Sequence, residues 1–480
     1  MDHILYWNSV VLEVNRRDFS NVAGTDKPSP EQGGPTLSSR ALAIVHLAMY
    51  DAHAGVVNNV ALPRYLAAPP NPAAGANAAS AVAAAAHACL SALFPRQKAH
   101  LDAAHESAGL AGPGLARGHA YGLAVARAML ADRAGDPSAS DNGYAASMHP
   151  GAHRPDPANA KQGYHAPFYG ARSKCFAVTA RHGLDASPTL GSTEYSAALK
   201  QVRGKGIAPE LMGTVPIALN KRTVAETLIG LYWAYDGPRE VGTPPRLYNQ
   251  IVRAVAVAKG NTVDQNARLF ALVNAAMGDA GILAWDQKYI HDLWRPVVGI
   301  REHDASMGPA APTPTSNIDN DCDPTWLPLG APASNSADRN FTPPFPAYPS
   351  GHATFGAAAF HIMRLFYGVA AGNRAADAVY TGPFVSDELN GVTHDNAGNV
   401  RPRHARAFPR GLWQMIEENG FSRIFLGVHW SFDAFALSPA GNPDLTRNIG
   451  GVPLGLKIAE DIFAAGAGKA PVKSTVGPRP

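Results

Sequence analysis

Three short segments of this 480-residue chain concentrate side chains that could bind and activate an anion. They contain Lys288 and Arg295, then Ser350, Gly351 and His352, then Arg423 and His429. A tightly held tetrahedral or trigonal-bipyramidal oxyanion requires this kind of set: positive charge, many hydrogen-bond donors, and a histidine that bonds it or carries a proton. The segments therefore predict a site for phosphate or a phosphate-like oxyanion.

The first segment has the spacing of one face of a helix. Positions 285, 288, 292 and 295 place Trp285, Lys288, Asp292 and Arg295 on the same face, and Pro296 is expected to end the helix. If this face is buried, its two cations require an anion opposite them. The alternative is an exposed helix on which Lys288 pairs with Asp292 at i,i+4.

The second segment predicts the start of a helix. Ser350 is a favourable N-cap residue, and an apolar run follows His352. A helix N-terminus offers free N–H groups and a positive dipole end, Gly351 allows close approach of the backbone to an anion, and His352 can transfer protons. An ordinary capped helix with an incidental histidine is the alternative.

The third segment cannot be one regular helix with both of its polar residues on one face. Arg423 and His429 are six residues apart, about 240° around an ideal helix. Either the helix breaks near Gly427 or the long arginine side chain reaches round. Asp433, four residues beyond His429, could orient the imidazole ring, although a histidine among apolar residues is often a core residue.

The composition is that of a globular protein with a sizeable core. Hydrophobic residues make up 46% of the chain and charged residues 16%, and the formal net charge of +3 does not suggest binding to nucleic acid or a membrane. Cys89, Cys175 and Cys322 form no CxxC pair, which excludes zinc-ribbon and thioredoxin motifs and leaves one disulfide open.

The periodicity predicts a mainly α fold with little β structure. Helices are expected at 36–51, 76–93, 115–132, 223–235, 266–294, 351–367, 404–419 and 453–465. Residues 135–216 are expected to form long packed loops with short helical pieces. We predict two helix bundles, 1–220 and 221–480, with the oxyanion site in the second, and a disordered tail from Lys469 to Pro480.

No targeting or membrane segment is expected. The N-terminus lacks the basic and apolar regions of a signal peptide, and no uncharged apolar run reaches about 18 residues. The default expectation is a soluble cytoplasmic protein without a membrane span, with export left open.

The three segments together resemble the signature of the superfamily that joins type 2 phosphatidic acid phosphatases, bacterial acid phosphatases and vanadium-dependent haloperoxidases. The longer stretches 344–356 and 422–430, the pair Trp285 and Lys288, and the segments 232–237, 242–250 and 450–455 are similar to the fungal-type vanadium chloroperoxidase branch. The similarity extends to 4–8 and 37–42, so it covers nearly the whole chain. It implies two mainly α four-helix bundles and one vanadate per chain.

The resemblance also implies a role for each residue of the site. His429 would bond vanadium, His352 would be the acid–base group, and Lys288 would hydrogen-bond the activated hydrogen peroxide. The residues expected to hold the vanadate oxygens are Lys288, Arg295, Ser350, Gly351 and Arg423. Asp236 would pair with Arg423, and Trp285 and Phe345 would line the halide pocket. Phenylalanine at 345 resembles chloride-competent members, whereas bromide-preferring members tend to have histidine there.

The implied activity is oxidation of chloride, bromide or iodide by hydrogen peroxide to hypohalous acid. Small organic acceptors could receive the halogen, and the chain could be a monomer or a homodimer. The stretch between His429 and Gly450 is shorter than in the fungal enzymes, which leaves the halide range and oligomeric state open. Two rivals remain: a phosphatase with a phosphohistidine at His429, oriented by Asp433, and a non-catalytic oxyanion-binding protein.

Overall fold

The computed structural model describes residues 2–20, 29–302, 308–309 and 322–479. The helices of the first half are α1 (His3–Asp18), α2 (Gly34–Val57), α3 (Ala78–Leu93), α4 (Lys98–Glu106), α5 (Leu115–Asp132), α6 (Tyr169–Arg172) and α7 (Thr193–Lys205). Those of the second half are α8 (Val224–Tyr232), α9 (Pro244–Ala258), α10 (Val263–His291), α11 (Pro296–Glu302), α12 (Gly351–Phe366), α13 (Gly411–Phe425), α14 (Ser431–Ala434) and α15 (Gly451–Ala465). The mainly α prediction is confirmed.

Strands are few and short in the described residues. β1 (Pro383–Val385) pairs antiparallel with β2 (Ala405–Ala407), with Phe384 opposite Arg406. β3 (Ala436–Leu437) pairs antiparallel with β4 (Pro443–Asp444). Neither pair is long enough to form a layer of the core.

Small residues allow the N-terminal helices to pack closely. A Cβ at Gly122 of α5 would lie 2.1 Å from the carbonyl oxygen of Ala81 on α3, and one at Gly118 would lie 2.3 Å from the carbonyl oxygen of Asn77. Asn77 also caps α3, because its side chain accepts a hydrogen bond from the backbone N–H of Ser80. The alanine-rich sequence is thus used for close helix–helix packing, as its composition indicates.

The central element of the fold is α10. It packs against α2 from the first half and against α12 and α15 from the second, and one continuous hydrophobic cluster extends from Ile4 to Ala470. By length and composition α10 could cross a membrane, but 94% of its apolar window is buried inside the protein. Its apolar character is therefore accounted for by its position in the core.

The expectation of a single helical face from residue 285 to 295 is wrong. Helix α10 ends at His291, because Asp292 adopts a left-handed conformation with φ of 47°, and Arg295 lies in the turn that follows. Pro296 begins α11 instead of ending α10, a position that suits proline because its missing N–H would be unpaired there in any case. Asp292 accepts a hydrogen bond from the hydroxyl of Tyr144 and forms no pair with Lys288.

The predicted disorder of the C-terminal tail is also wrong for its described part, which ends at residue 479. The tail lies along residues 171–178: the N–H of Cys175 donates to the carbonyl of Val476, and the N–H of Ser474 donates to that of Phe176. Arg479 pairs with Asp286 of α10 at 3.2 Å. Backbone hydrogen bonds to a distant loop order this segment, and its Pro- and Gly-rich composition could not show them.

Further differences concern local structure. The helix expected at 404–419 is displaced to Gly411–Phe425, and α1, α4, α9, α11 and α14 were not predicted. The stretch 135–216 contains a full helix, α7, among its loops. None of the three buried cysteines forms a disulfide, so the one bridge left open by the sequence is not made.

Candidate functional site

Helix α10 places Trp285 and Lys288 one turn apart in the core. The Lys288 ammonium is fully buried and donates to the carbonyl oxygens of Pro346 at 2.8 Å, Ala347 at 3.1 Å and Pro349 at 2.6 Å. Burial, reinforced by nearby Arg295, lowers the pKa of Lys288 well below its usual range. Lys288 therefore ties the 346–349 turn to α10, and one carbonyl contact must be exchanged before it can donate to an anion.

Arg295 joins the first segment to the third. Its Nε donates to the carbonyl of Phe345 at 2.7 Å, and its Nη1 donates to the carbonyl of Val428 at 2.8 Å and to Nε2 of His429 at 3.0 Å. Its Nη2 is buried and has no hydrogen-bond partner in the described residues. Burial lowers the pKa of Arg295 to about 9, so the guanidinium remains the charged form at neutral pH.

The second segment begins α12 as the sequence predicts. Ser350 is the N-cap, and its hydroxyl accepts from the N–H of Ala353 at 3.4 Å. The Ser350 N–H donates to the carbonyl of Asp433 at 2.7 Å, which ties the start of α12 to the third segment. At Gly351 a Cβ would lie 3.2 Å from the Trp285 ring, so glycine is needed for packing here as well as for access to the first N–H groups of the helix.

The third segment contains a helix break near Gly427, which is the first of the two arrangements that the spacing of Arg423 and His429 left open. Helix α13 ends at Phe425, and Gly427 has φ of 72°, where a Cβ would lie 2.4 Å from the carbonyl oxygen of Gly206. Arg423 forms a two-pronged ion pair with Asp236, at 2.9 Å and 2.6 Å. Its Nε is buried and unpartnered in the described residues, so one N–H remains for another acceptor.

Hydrogen bonds define the tautomer of His429. Nδ1 lies 2.8 Å from Oδ2 of Asp433, which also accepts from the N–H of Trp430. Because Arg295 can only donate, Nε2 of His429 must be the acceptor and Nδ1 must carry the proton. Burial, then the charges of Arg295 and Lys288, lowers the pKa of His429 well below its usual range. The ring is neutral, and its Nε2 lone pair accepts the hydrogen bond from Arg295 instead of carrying a proton.

The same argument applies to His352. Its Nε2 lies 2.5 Å from the carbonyl oxygen of Ala234, and a carbonyl only accepts, so Nε2 carries a proton. In the neutral ring Nδ1 is then the basic nitrogen. Burial, followed by the charge of Arg423, lowers the pKa of His352 to about 3. His352 is therefore a neutral imidazole that can accept a proton through Nδ1.

A cavity of about 160 Å³ reaches His352, Arg423 and His429. Its polar lining residues are Asp236, His352, Arg423, His429 and His165, and its apolar ones are Pro35, Pro244, Trp285, Phe341, Pro343, Pro344, Phe345 and Phe355. A water molecule takes up about 30 Å³, whereas drug-sized ligands occupy pockets of about 300–1,000 Å³. The volume therefore suits small inorganic reactants.

Phe345 lies where cationic and aromatic parts of the site meet. Its ring centroid is 4.8 Å from Cζ of Arg295, 5.1 Å from Nζ of Lys288 and 4.7 Å from the Trp285 ring. The positive charges thus contact the electron-rich face of an aromatic ring. The indole N–H of Trp285 donates to the carbonyl of His165 at 3.2 Å, so Trp285 offers the cavity a ring surface and not a donor.

The structure brings all the predicted site residues into one cluster and adds others that the sequence did not reveal. The additions are His165, the carbonyl of Ala234, and the carbonyls of the 346–349 turn. His165 stands in the long loop region, which is predicted to be packed because tyrosine and phenylalanine side chains recur in it. That recurrence was the one available signal.

The residues present fit a bound oxyanion. Two buried guanidinium N–H groups, Nη2 of Arg295 and Nε of Arg423, lack partners within the described residues. A buried unpartnered donor is costly, and an anionic acceptor removes that cost. Three cationic side chains face the carboxyls of Asp236 and Asp433, and burial raises the pKa of Asp433 to about 7. The excess positive charge agrees with an anion as the ligand.

Comparisons with known proteins found two matching family models and a similar enzyme. Residues 1–160 match the family model described as the vanadium chloroperoxidase N-terminal domain, and residues 268–443 match that of the second helical-bundle domain. The chain is 34% identical to the vanadium chloroperoxidase of Curvularia inaequalis, over 97% of this chain and 90% of that protein.

Solved structures show the same fold at lower identity. A bacterial vanadium-dependent iodoperoxidase is similar with a TM-score of 0.61 and 18% identity, covering 98% of this chain and 96% of the other. A holo-type bacterial vanadium-dependent chloroperoxidase has a TM-score of 0.57 and 15% identity, covering 92% and 95%.

Proposed function

The chain belongs to the vanadium chloroperoxidase family, and from this membership we propose which of its residues perform the reaction. The enzyme is a vanadium-dependent haloperoxidase: it uses vanadate as cofactor and oxidises halide with hydrogen peroxide to hypohalous acid. Bound vanadate supplies a Lewis-acidic centre that activates hydrogen peroxide towards halide without changing its own redox state.

We propose that His429 bonds vanadium through Nε2. The oxygens of vanadate would be held by Lys288, Arg295, Ser350, the Gly351 amide and Arg423. The observation that carries this assignment is the pair of unpartnered N–H groups on Arg295 and Arg423 beside the His429 lone pair. Asp433 fixes the His429 tautomer through Nδ1, and Asp236 holds the Arg423 guanidinium in one orientation.

The other side chains prepare the reactants. Lys288 exchanges one of its carbonyl contacts to hydrogen-bond hydrogen peroxide, and the three cations withdraw electron density from it. His352 accepts and returns a proton at Nδ1 while the Ala234 carbonyl keeps Nε2 protonated. Trp285 and Phe345 exclude water from the halide, which strengthens the local electrostatics.

We also propose a boundary between the two bundles near residue 220, with the vanadate site in 221–480, and a soluble location. Whether the chain acts as a monomer or a homodimer, and whether small organic acceptors react with the hypohalous acid, are open parts of the proposal. The phosphatase alternative, with a phosphohistidine at His429, is not favoured because the chain belongs to the haloperoxidase branch.

The function is tested by reconstitution of metal-free protein with orthovanadate. We expect halide oxidation by hydrogen peroxide only after vanadate is added, no loss on chelation of divalent metals, and inhibition by excess phosphate during loading, because phosphate has the same shape and charge. Halogenation is followed spectroscopically with a dye acceptor. Strong activity in rigorously vanadium-free protein would contradict the proposal.

Exchange of Phe345 for histidine should change halide choice more than vanadate affinity. Phe345 contacts Lys288 and Arg295 through its ring and carries no charge that vanadate could use. Chloride, the hardest common halide to oxidise, depends most on a dry pocket, so Phe345→His should lower the chloride-to-bromide ratio of kcat/KM, by roughly 10-fold or more, the scale of about 1.4 kcal/mol. Phe341→His in the same cavity is the matched control. An unchanged ratio, or collapse of vanadate affinity, would show that Phe345 has a different role.

A further inference from the structure

His165 is a cavity-lining imidazole that the site described so far does not use. It comes from the long loop between α5 and α6, and it is partly exposed where it lines the cavity. Its ring packs edge-on against Trp285 at 5.9 Å and lies 6.1 Å from the ring of Phe345. It therefore stands among the aromatic side chains that would surround a halide.

The backbone of His165 is held at three points. Its N–H donates to the carbonyl of Pro344 at 2.8 Å, and its own carbonyl accepts from Nε1 of Trp285 at 3.2 Å and from the hydroxyl of Tyr289 at 2.8 Å. Pro344 directly precedes Phe345, so the loop, α10 and the Phe345 segment are joined through this residue. Such support from neighbouring groups is what a positioned site residue requires.

The partner of His165 indicates its tautomer. Nε2 lies 2.9 Å from Oγ1 of Thr36, which is fully buried. Among the described residues no other hydrogen-bond partner of this hydroxyl is present, so satisfying its proton requires the Nε2 lone pair as acceptor. The ring proton is then on Nδ1. Nδ1 makes no hydrogen bond to a described residue and is not fully buried, and the residue lines the cavity.

The remaining polar groups of the cavity are already engaged. Asp236 binds Arg423, His352 donates Nε2–H to Ala234, and His429 is held between Asp433 and Arg295. The indole N–H of Trp285 is used by the His165 carbonyl. Of the described side chains that line the cavity, Arg423 and His165 keep an N–H outside this network, and the Nε–H of Arg423 is the one proposed to hold a vanadate oxygen. An anion that enters an apolar pocket loses its hydrogen bonds to water, so a hydrogen-bond donor of the protein is needed to replace them.

We propose that His165 donates its Nδ1–H to the halide and so sets the affinity of the enzyme for halide, with Thr36 fixing the donor tautomer. This inference rests on the proposed function. It assigns the loop between α5 and α6 a direct part in substrate binding, in addition to the residues of the second bundle. The halide would then sit between this donor and the rings of Trp285 and Phe345.

Four variants test whether His165 acts through a hydrogen bond from Nδ1 or only through the packing of its ring. His165→Phe keeps an aromatic ring without a donor, His165→Gln places an amide at the Nε2 position facing Thr36, and His165→Asn places an amide donor at the Nδ1 position. Thr36→Val removes the group that fixes the tautomer. We expect a rise of roughly 10- to 100-fold in the KM for bromide in the Phe and Gln variants, the scale of a lost hydrogen bond to a charged group.

The other two variants test whether a donor at the Nδ1 position is sufficient, and vanadate affinity tests whether the effect is confined to the halide. His165→Asn should restore most of the bromide affinity, and Thr36→Val should give a smaller rise in KM than His165→Phe. Vanadate affinity and the midpoint of thermal unfolding should stay close to those of the wild type in all four. Unchanged bromide KM in both the Phe and Gln variants would overturn the proposal.

A measurement independent of turnover is anomalous diffraction from bromide-soaked crystals of the phosphate-loaded protein. We expect a bromide peak within hydrogen-bonding distance of Nδ1 in the wild type and in His165→Asn, and no such peak in His165→Phe at the same concentration. A wild-type peak elsewhere, or one that persists in His165→Phe, would overturn the assignment. Failure of the proposed function is distinguishable, because it would abolish halide oxidation in the wild type whatever the position of bromide.

Discussion

Replacement of His429 by alanine is expected to weaken vanadate binding by more than about 100-fold, because the loss of outer partners of metal ligands alone costs about 10–100-fold. The variant removes Nε2, the nitrogen proposed to bond vanadium, whose lone pair faces Arg295 while Nδ1 is protonated towards Asp433. Vanadate affinity is measured by calorimetric titration of the metal-free protein. Equal affinities in the wild type and His429→Ala would refute the assignment.

Asp433→Asn provides a graded comparison for this experiment. It keeps the side-chain size and an oxygen that can accept from Trp430, but it removes the negative charge that supports the His429 tautomer. Its effect should be smaller than that of His429→Ala, about 10–100-fold. Thermal unfolding of both variants distinguishes a lost ligand from a lost fold, because each replaces a buried polar group.

Replacement of His352 by alanine should lower turnover and leave vanadate affinity nearly unchanged, the reverse of the effect expected for His429→Ala. We expect kcat for bromide oxidation to fall by roughly 10²–10⁴-fold, the contribution of a positioned acid–base group, with vanadate affinity within a few-fold of the wild type. His352 lines the cavity with Nδ1 as its basic nitrogen, while Nε2–H is bound to the Ala234 carbonyl. Steady-state kinetics and a vanadate titration on the same preparation give both quantities.

His352→Gln separates proton transfer from packing. The glutamine amide can still donate to the Ala234 carbonyl, but it cannot be protonated at neutral pH. It should therefore be about as slow as the alanine variant. If His352→Gln retained nearly full turnover, the role of His352 would be to hold the Ala234 segment in place and not to move a proton.

Much of the site was determined by local sequence. Ser350 followed by Gly351 and an apolar run is sufficient to begin a helix, and α12 begins at Gly351 as predicted. The four-residue step from His429 to Asp433 likewise anticipated their 2.8 Å contact. Residue types also limited the ligand to an oxyanion, because three cations and two imidazoles have few other uses when buried together.

Other features were decided only by the tertiary structure. Arg295 leaves the helical face because the left-handed Asp292 ends α10, and the Lys288 ammonium is occupied by carbonyls that lie about sixty positions further along the chain. His165 enters the cavity because Trp285, Tyr289 and Pro344 bind its backbone. Hydrogen bonds between residues far apart in sequence leave no periodicity, so a pattern of residue types could not reveal them. The chain by itself determined which chemistry is available, and the packing of the two halves around α10 decided which atoms perform it.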